Sequence, residues 1–163
     1  MDNIQLDKSD LGLIHIISGN GKGKTTSSLG MALRAAGHGY KVLIIQFMKK
    51  GWDYGEIKAI KKYLSPIITI EQFGTPELVD KRNPKPIDFV EAEKGLKRAE
   101  RALTTEKWDF VILDEINVAI DWGLIDIEKV IRLLDIKPET TELILTGRYA
   151  KEELISKSDY YSE

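Results

Sequence analysis

The apolar run Leu13-Ile14-His15-Ile16-Ile17 leads directly into Ser18-Gly19-Asn20-Gly21-Lys22-Gly23-Lys24-Thr25-Thr26, and an alanine-rich segment of helical spacing follows. A strand, a glycine loop and a helix in that order leave little freedom for the fold around them. Glycines let the backbone turn tightly with no Cβ in the way, so that successive N–H groups and the helix N-terminus converge on one anionic ligand. Lys24 adds a full positive charge, and the Thr25 hydroxyl suits Mg²⁺. Gly23-Lys24-Thr25 fits the end of a phosphate-binding template whose first glycine position is here Ser18, so the loop is a variant of that template. A glycine-rich turn with two solvated lysines is the bland alternative, and the preceding strand and following helix weigh against it.

A chain of 163 residues, 42% hydrophobic and 31% charged, suits one globular domain spanning 1–163. The 24 basic and 26 acidic residues leave a net charge of −2 and no electrostatic footprint for nucleic acid. The absence of cysteine excludes disulfides, thiolate metal sites, Fe–S clusters and a cysteine nucleophile. Residues 1–10 carry no apolar signal core and no later run approaches membrane-spanning length, so a cytoplasmic protein with no nucleic-acid and no membrane partner is expected.

In the first helix Leu29, Ala32, Leu33 and Ala36 form the expected core stripe, which stops at Gly37-His38-Gly39. Residues 41–47 predict a second buried strand, parallel to the first because a helical crossover separates them. The loop 48–56, with Trp52, then emerges on the sheet edge where the phosphate loop sits and where open α/β sheets bind ligands. Ile57, Ile60 and Leu64 mark a short helix ending near Pro66, residues 67–73 a third strand, and 74–86 a long loop with three prolines. From Asp88 as N-cap, Phe89, Ala92, Leu96, Ala99 and Leu103 predict a helix whose opposite face, Glu91 included, is solvated. His15 reads as a packed core residue and His38 as a turn residue.

The second landmark is Trp108-Asp109-Phe110-Val111-Ile112-Leu113-Asp114-Glu115, an apolar strand ending in two acids. An acid at that strand end can reach a Mg²⁺ held by Thr25, directly or through water. Ile127, Val130, Ile131 and Leu134 then lie on a helix halted by Pro138, and residues 143–148 form a last strand and turn. Arg148 is placed either to fork onto phosphate oxygens or to make a surface salt bridge. The βα alternation predicts a three-layer α/β domain of the P-loop NTPase-like, RecA-type class with a largely parallel central sheet.

Gly19-Asn20-Gly21-Lys22-Gly23-Lys24-Thr25-Thr26, Arg34-Ala35-Ala36-Gly37-His38-Gly39, Gln46-Phe47-Met48-Lys49-Lys50-Gly51, Tyr54-Gly55-Glu56, Leu113-Asp114-Glu115-Ile116-Asn117 and Leu145-Thr146-Gly147-Arg148, in that order, resemble the P-loop type ATP:corrinoid adenosyltransferases from about Leu13 to Tyr160. The resemblance implies transfer of the 5′-deoxyadenosyl group of ATP to the cobalt of a reduced corrinoid, with triphosphate leaving. It places ATP on Gly19, Asn20, Gly21, Lys22, Gly23, Lys24, Thr25, Thr26 and Arg148, and Mg²⁺ on Thr25 and Glu115. Lys24, Thr25 and Glu115 become the catalytic residues, and Lys49, Trp52 and Phe73 the corrinoid-facing ones. It further implies a homodimer and an electron donor such as a flavodoxin-like protein. The family's aromatic-rich corrinoid segment is here Phe73-Gly74-Thr75-Pro76-Glu77-Leu78, without its tryptophan, and the family's C-terminal tail, part of the substrate lid, is expected to be absent or disordered beyond Glu163.

The residues agree with that chemistry on their own terms. Co(I) is a very strong nucleophile, so attack at the ribose 5′ carbon needs no general base, and no convincing Ser-His or Cys-His pair is present. A kinase or ATPase would use the same loop with Asp114 or Glu115 as base, and a non-catalytic module would only bind ATP.

Overall fold

The computed structural model describes residue 8, residues 10–51 and residues 53–163. Its six strands, β1 (Ile14–Ile17), β2 (Val42–Gln46), β3 (Ile68–Gln72), β4 (Phe110–Asp114), β5 (Glu142–Thr146) and β6 (Tyr160–Ser162), form one sheet in the order β3-β2-β4-β5-β1-β6, with every neighbouring pair parallel. The helices are α1 (Lys24–Gly37), α2 (Gly55–Ala59) continued by a π turn (Ile60–Leu64), α3 (Pro86–Thr104), α4 (Ile116–Asp121), α5 (Ile127–Ile136) and α6 (Glu152–Ile155).

β2, β4 and β5 are buried at every position, as expected of parallel strands covered on both faces. Successive side chains point to opposite faces and feed two cores. Val42, Ile44, Ile112 and Ile144 meet Ala32, Ala35 and Ala36 of α1 and Ile60 of the π turn. Leu43, Ile45, Val111, Leu113, Leu143 and Leu145 meet Leu96, Ala99 and Leu103 of α3 and Val130, Leu133 and Leu134 of α5. The result is the three-layer α/β architecture expected for a P-loop NTPase-like domain. Because β4 and β5 lie between β1 and β2, α1 crosses them both on its way from one to the other. The loops after β1, β2, β4 and β5 are thereby gathered at the C-terminal edge of the sheet, where such folds bind ligands. Among the described residues no helix is long and apolar enough to cross a membrane.

Several local expectations are corrected. Helix α3 starts three residues early: Pro86 takes the first helical position, Lys85 is the N-cap, and the Asp88 carboxylate accepts from the Lys85 backbone N–H at 2.8 Å. Proline suits that position because its missing N–H would have had no partner there. Leu33 and Phe89, expected in the core, are 56% and 42% exposed, while Ala35 is buried. Glu91, expected on the solvated face, is buried at 4% exposure. His15 pairs through Nε2 with Glu142 Oε1 at 2.7 Å and stacks on Tyr160, which belongs to β6, a three-residue edge strand of exposed residues with no apolar signal.

Gly95 lets α3 pack directly on Phe47, the residue that follows β2. A Cβ there would lie 2.7 Å from Cε1 of the fully buried Phe47. Gly95→Val should therefore destabilise the protein by about 2 kcal/mol in urea denaturation, since overpacking outweighs the gain in helix propensity. A loss below about 0.5 kcal/mol would mean that the Phe47 ring moves aside freely.

Candidate active site

Gly19 (φ 98°) and Gly23 (φ 112°) take backbone conformations that side chains rarely adopt, and these turn the chain between β1 and α1. The loop closes on Lys24, whose Nζ donates to the carbonyls of Gly19 and Gly21, both at 2.7 Å. The first turn of α1 contains no acidic residue, so the positive end of the 14-residue helix is left uncompensated beneath the loop. The hollow there, about 380 Å³, is walled by the loop from Ser18 to Lys24 and by Ser162 and Glu163 at the end of β6. Anion binding is what such a site does best.

Asp114 ends β4 with no exposed surface, and four donors surround its carboxylate. Thr25 Oγ1 (2.9 Å) and Thr146 Oγ1 (2.7 Å) donate to Oδ1, and Gln46 Nε2 (3.0 Å) and Lys49 Nζ (2.7 Å) donate to Oδ2. Strand register explains the convergence, because Gln46 lies directly across from Asp114 in the β2–β4 pair and Thr146 ends neighbouring β5. Glu115 follows in a left-handed conformation (φ 66°) that reverses the chain into α4, and its N–H donates to Thr146 Oγ1 at 3.1 Å. Thr25 thus meets Asp114 directly, while Glu115, the acid assigned to metal by resemblance, approaches Lys49 Nζ at 3.7 Å.

Lys49 occupies the centre of this cluster. Burial disfavours its ammonium, yet the charge of Asp114 and the hydrogen bond to it, with Glu115 behind, outweigh that and hold its pKa above the ordinary lysine value. Its stem also lines a cavity of about 470 Å³ whose other walls include Phe47, Met48, Tyr54, Val118, Trp122 and Arg148. Arg148 is exposed on the rim and makes no hydrogen bond or ion pair with the described residues.

Two buried or half-buried acids hold the cavity's loops, and neither was singled out as a site residue by sequence reading. Glu91 on α3 accepts from Lys94 Nζ (2.6 Å), Lys50 Nζ (3.2 Å) and the Gly74 N–H (3.5 Å), joining the loops after β2 and β3. The Lys94 hydrogen bond, helped by Lys50 and Gly74, lowers its pKa against the opposing effect of burial. Asp121 at the end of α4 pairs with Lys81 (2.7 Å) and Lys151 (2.6 Å), and Lys81 also lies over the Tyr149 ring at 5.4 Å. Leu78, Val79 and Lys81 of the 74–85 loop form one cavity wall. Gln46 and Thr146 were legible in principle, as polar ends on otherwise apolar strands.

Of the residues singled out from sequence, the structure brings together Lys24 and its glycines at the loop, Thr25, Asp114, Glu115 and Lys49 at the cluster, and Arg148 at the cavity. Thr26 and Lys22 stay exposed beside the loop. Phe73 lies apart: half-buried on the core, it lines a separate hollow with Lys94, Lys97, Arg98 and Arg101 of α3. Trp52 lies outside the described residues.

The chain resembles known proteins along almost its whole length. The family model described as ATP:corrinoid adenosyltransferase BtuR/CobO/CobP matches residues 10–163. A corrinoid adenosyltransferase of Sinorhizobium sp. is 36% identical over 167 residues, covering 99% of this chain and 76% of that protein. The corrinoid adenosyltransferase of Escherichia coli (strain K12) is 31% identical over 156 residues, covering 96% of this chain and 78% of its own. An uncharacterised Nostoc sp. protein, all2391, is 37% identical over 144 residues, which make up 83% of this chain and 38% of that protein. With a family match reaching from residue 10 to residue 163, laid over a phosphate loop and an adjoining apolar cavity, the chain belongs to the ATP:corrinoid adenosyltransferase family.

Proposed function

We propose that the chain transfers the 5′-deoxyadenosyl group of ATP to the Co(I) centre of a reduced corrinoid and releases inorganic triphosphate, in adenosylcobalamin synthesis or salvage. One observation carries this reading beyond family membership. An anion-binding loop and a cavity with aromatic and aliphatic walls adjoin through one cluster, because Lys49 and Glu115 line the cavity while Lys49 and Asp114 contact Thr25 of the loop. A nucleotide's phosphates and an apolar macrocycle call for those two environments side by side.

In the proposed reaction the cobalt lone pair forms the Co–C bond to the 5′ carbon, and the electrons of the broken C–O bond leave on the triphosphate. The chain's task is to receive that charge. Lys24 and the N–H groups of residues 19–25 would do this, and the Arg148 guanidinium, unpaired among the described residues, would add a fork of donors from the rim. No group need take a proton, and the two histidines and Asp114 are already engaged. His15 is engaged with Glu142, His38 caps the far end of α1, and Asp114 is committed to four donors.

Thr25, Asp114 and Glu115 supply hard oxygen donors, and a buried carboxylate 2.9 Å from a hydroxyl suits a Mg²⁺ ion, which these side chains would hold. When bound, Mg²⁺ would neutralise charge developing on the triphosphate. The reading also calls for a one-electron donor such as a flavodoxin-like protein to generate Co(I). From the family resemblance it takes a homodimeric, cytoplasmic enzyme.

Lys24→Ala should lower turnover about a hundredfold, the usual cost of losing one preorganised contact to developing charge, on the order of 3 kcal/mol. Activity within about threefold of wild type would reduce the loop to a structural turn. Glu115→Gln should raise the Mg²⁺ concentration needed for half-maximal rate about tenfold and leave the melting temperature near wild type. Asp114→Asn should also lower the melting temperature by several degrees, because four donors lose their carboxylate; equal melting temperatures in the two variants would contradict that division. With ATP, Mg²⁺ and chemically reduced corrinoid, ³¹P NMR should find one triphosphate for each light-sensitive adenosylated corrinoid, whereas corrinoid-independent ADP as main product would point to an ATPase or kinase.

A further inference from the structure

The Lys49 ammonium lies 2.7 Å from Asp114 Oδ2, 3.4 Å from Thr25 Oγ1 and 3.7 Å from Glu115 Oε1. These are the same three side chains that the proposed function gives to Mg²⁺, so the cluster already contains a cation, covalently attached to the chain. We infer that Lys49 is a resident competitor for the metal position, and that binding of the metal–nucleotide drives its ammonium out of the cluster into the adjoining cavity. The inference rests on the metal site proposed above and goes beyond it by giving Lys49 a positioning role that couples the two substrate sites.

Three features support the exchange. A divalent ion and an ammonium need the same oxygen lone pairs, and like charges this close in a largely buried site disfavour joint occupancy. Lys49 has somewhere to go, since it lines the 470 Å³ cavity and its side chain retains 17% exposure. Its backbone is also fixed: the Lys49 N–H donates to the Phe73 carbonyl at 3.0 Å, and Met48 before it takes a left-handed conformation (φ 59°) packed under Gly74. A Cβ on Gly74 would lie 2.7 Å from Met48 Cα, which leaves little room for the backbone to shift. Motion is thus confined to the four-carbon stem. Metal–nucleotide binding then places a positive charge on the cavity wall, where an anionic or carbonyl oxygen of the second substrate can take it up. Because coupling is reciprocal, a second substrate that holds the ammonium in the cavity tightens metal binding by the same factor.

The full chain and Mn²⁺, read by electron paramagnetic resonance of the free ion, test this without turnover. In the absence of nucleotide, Lys49→Met should bind Mn²⁺ about tenfold more tightly than wild type, and Lys49→Arg, which keeps a cation, should stay within about threefold of wild type. In the wild-type protein, acetylation of the Lys49 amine, followed by peptide mass spectrometry, should rise several-fold when Mn²⁺ and ATP are bound together. Unchanged Mn²⁺ affinity in Lys49→Met, or Lys49 labelling unmoved by Mn²⁺ and ATP, overturns the exchange. Failure of the wild type and both variants to bind Mn²⁺ even with ATP would instead overturn the metal reading beneath it, and this inference with it.

Discussion

A carboxylate removed from water must find its hydrogen bonds inside the protein, and Asp114 finds four. Its partners come from the start of α1, the ends of β2 and β5, and the loop after β2. One side chain therefore sets the relative positions of the phosphate loop's helix, three strands and the cavity wall. With Lys49 in the cluster the lone pairs of both oxygens are engaged, and the satisfied network acts as a joint and not as an isolated buried charge. The parallel sheet makes the joint possible: the strand order brings β5, β4 and β2 side by side, and α1 crosses all three.

The proposed chemistry suits such a joint. Where no proton is transferred, the protein contributes fixed charge and fixed position, and both degrade if the framework yields. The Thr25 hydroxyl cannot drift from β4 without breaking a 2.9 Å bond, and Thr146 links the same carboxylate to the backbone of Glu115. A side chain that is itself restrained holds each reactive group in place.

What was legible in the sequence was whatever is decided locally. The phosphate loop, the strand runs of residues 42–46, 110–114 and 142–146, and the stop of α1 at Gly37 follow from backbone sterics and uniform hydrophobicity. The two acids at the end of β4 were legible as a pair, but their division of contacts was not, since the left-handed turn at Glu115 breaks the simple alternation of an extended chain. Glu91 looked like any charged residue on an amphipathic helix. Its burial arises from Lys50 and Gly74, which are 41 and 17 residues away in sequence. Leu33 and Phe89 fit the helical period but lie at the margin of the face that the sheet covers, so the period alone could not say how wide that face is. β6 has no apolar pattern because it is an exposed edge, specified by pairing with β1 and not by its own composition.

The two lysines that bind Asp121 stand at 53% and 40% exposure, so water competes for both contacts. Each such pair is worth about 0.2–1 kcal/mol, comparable with thermal energy. The loop carrying Leu78 and Val79 is held by one of these pairs, Lys81–Asp121, by Lys81 over Tyr149, by the Gly74 N–H on Glu91 and by Val79 packed on the core, while the opposite wall grows from β2 and α4, whose buried side chains include Phe47 and Val118. The two sides of the cavity therefore differ in mechanical stiffness. Salt therefore acts on one side of the cavity, where it screens the Lys81–Asp121 contact, and has little to act on in the wall built from β2 and α4.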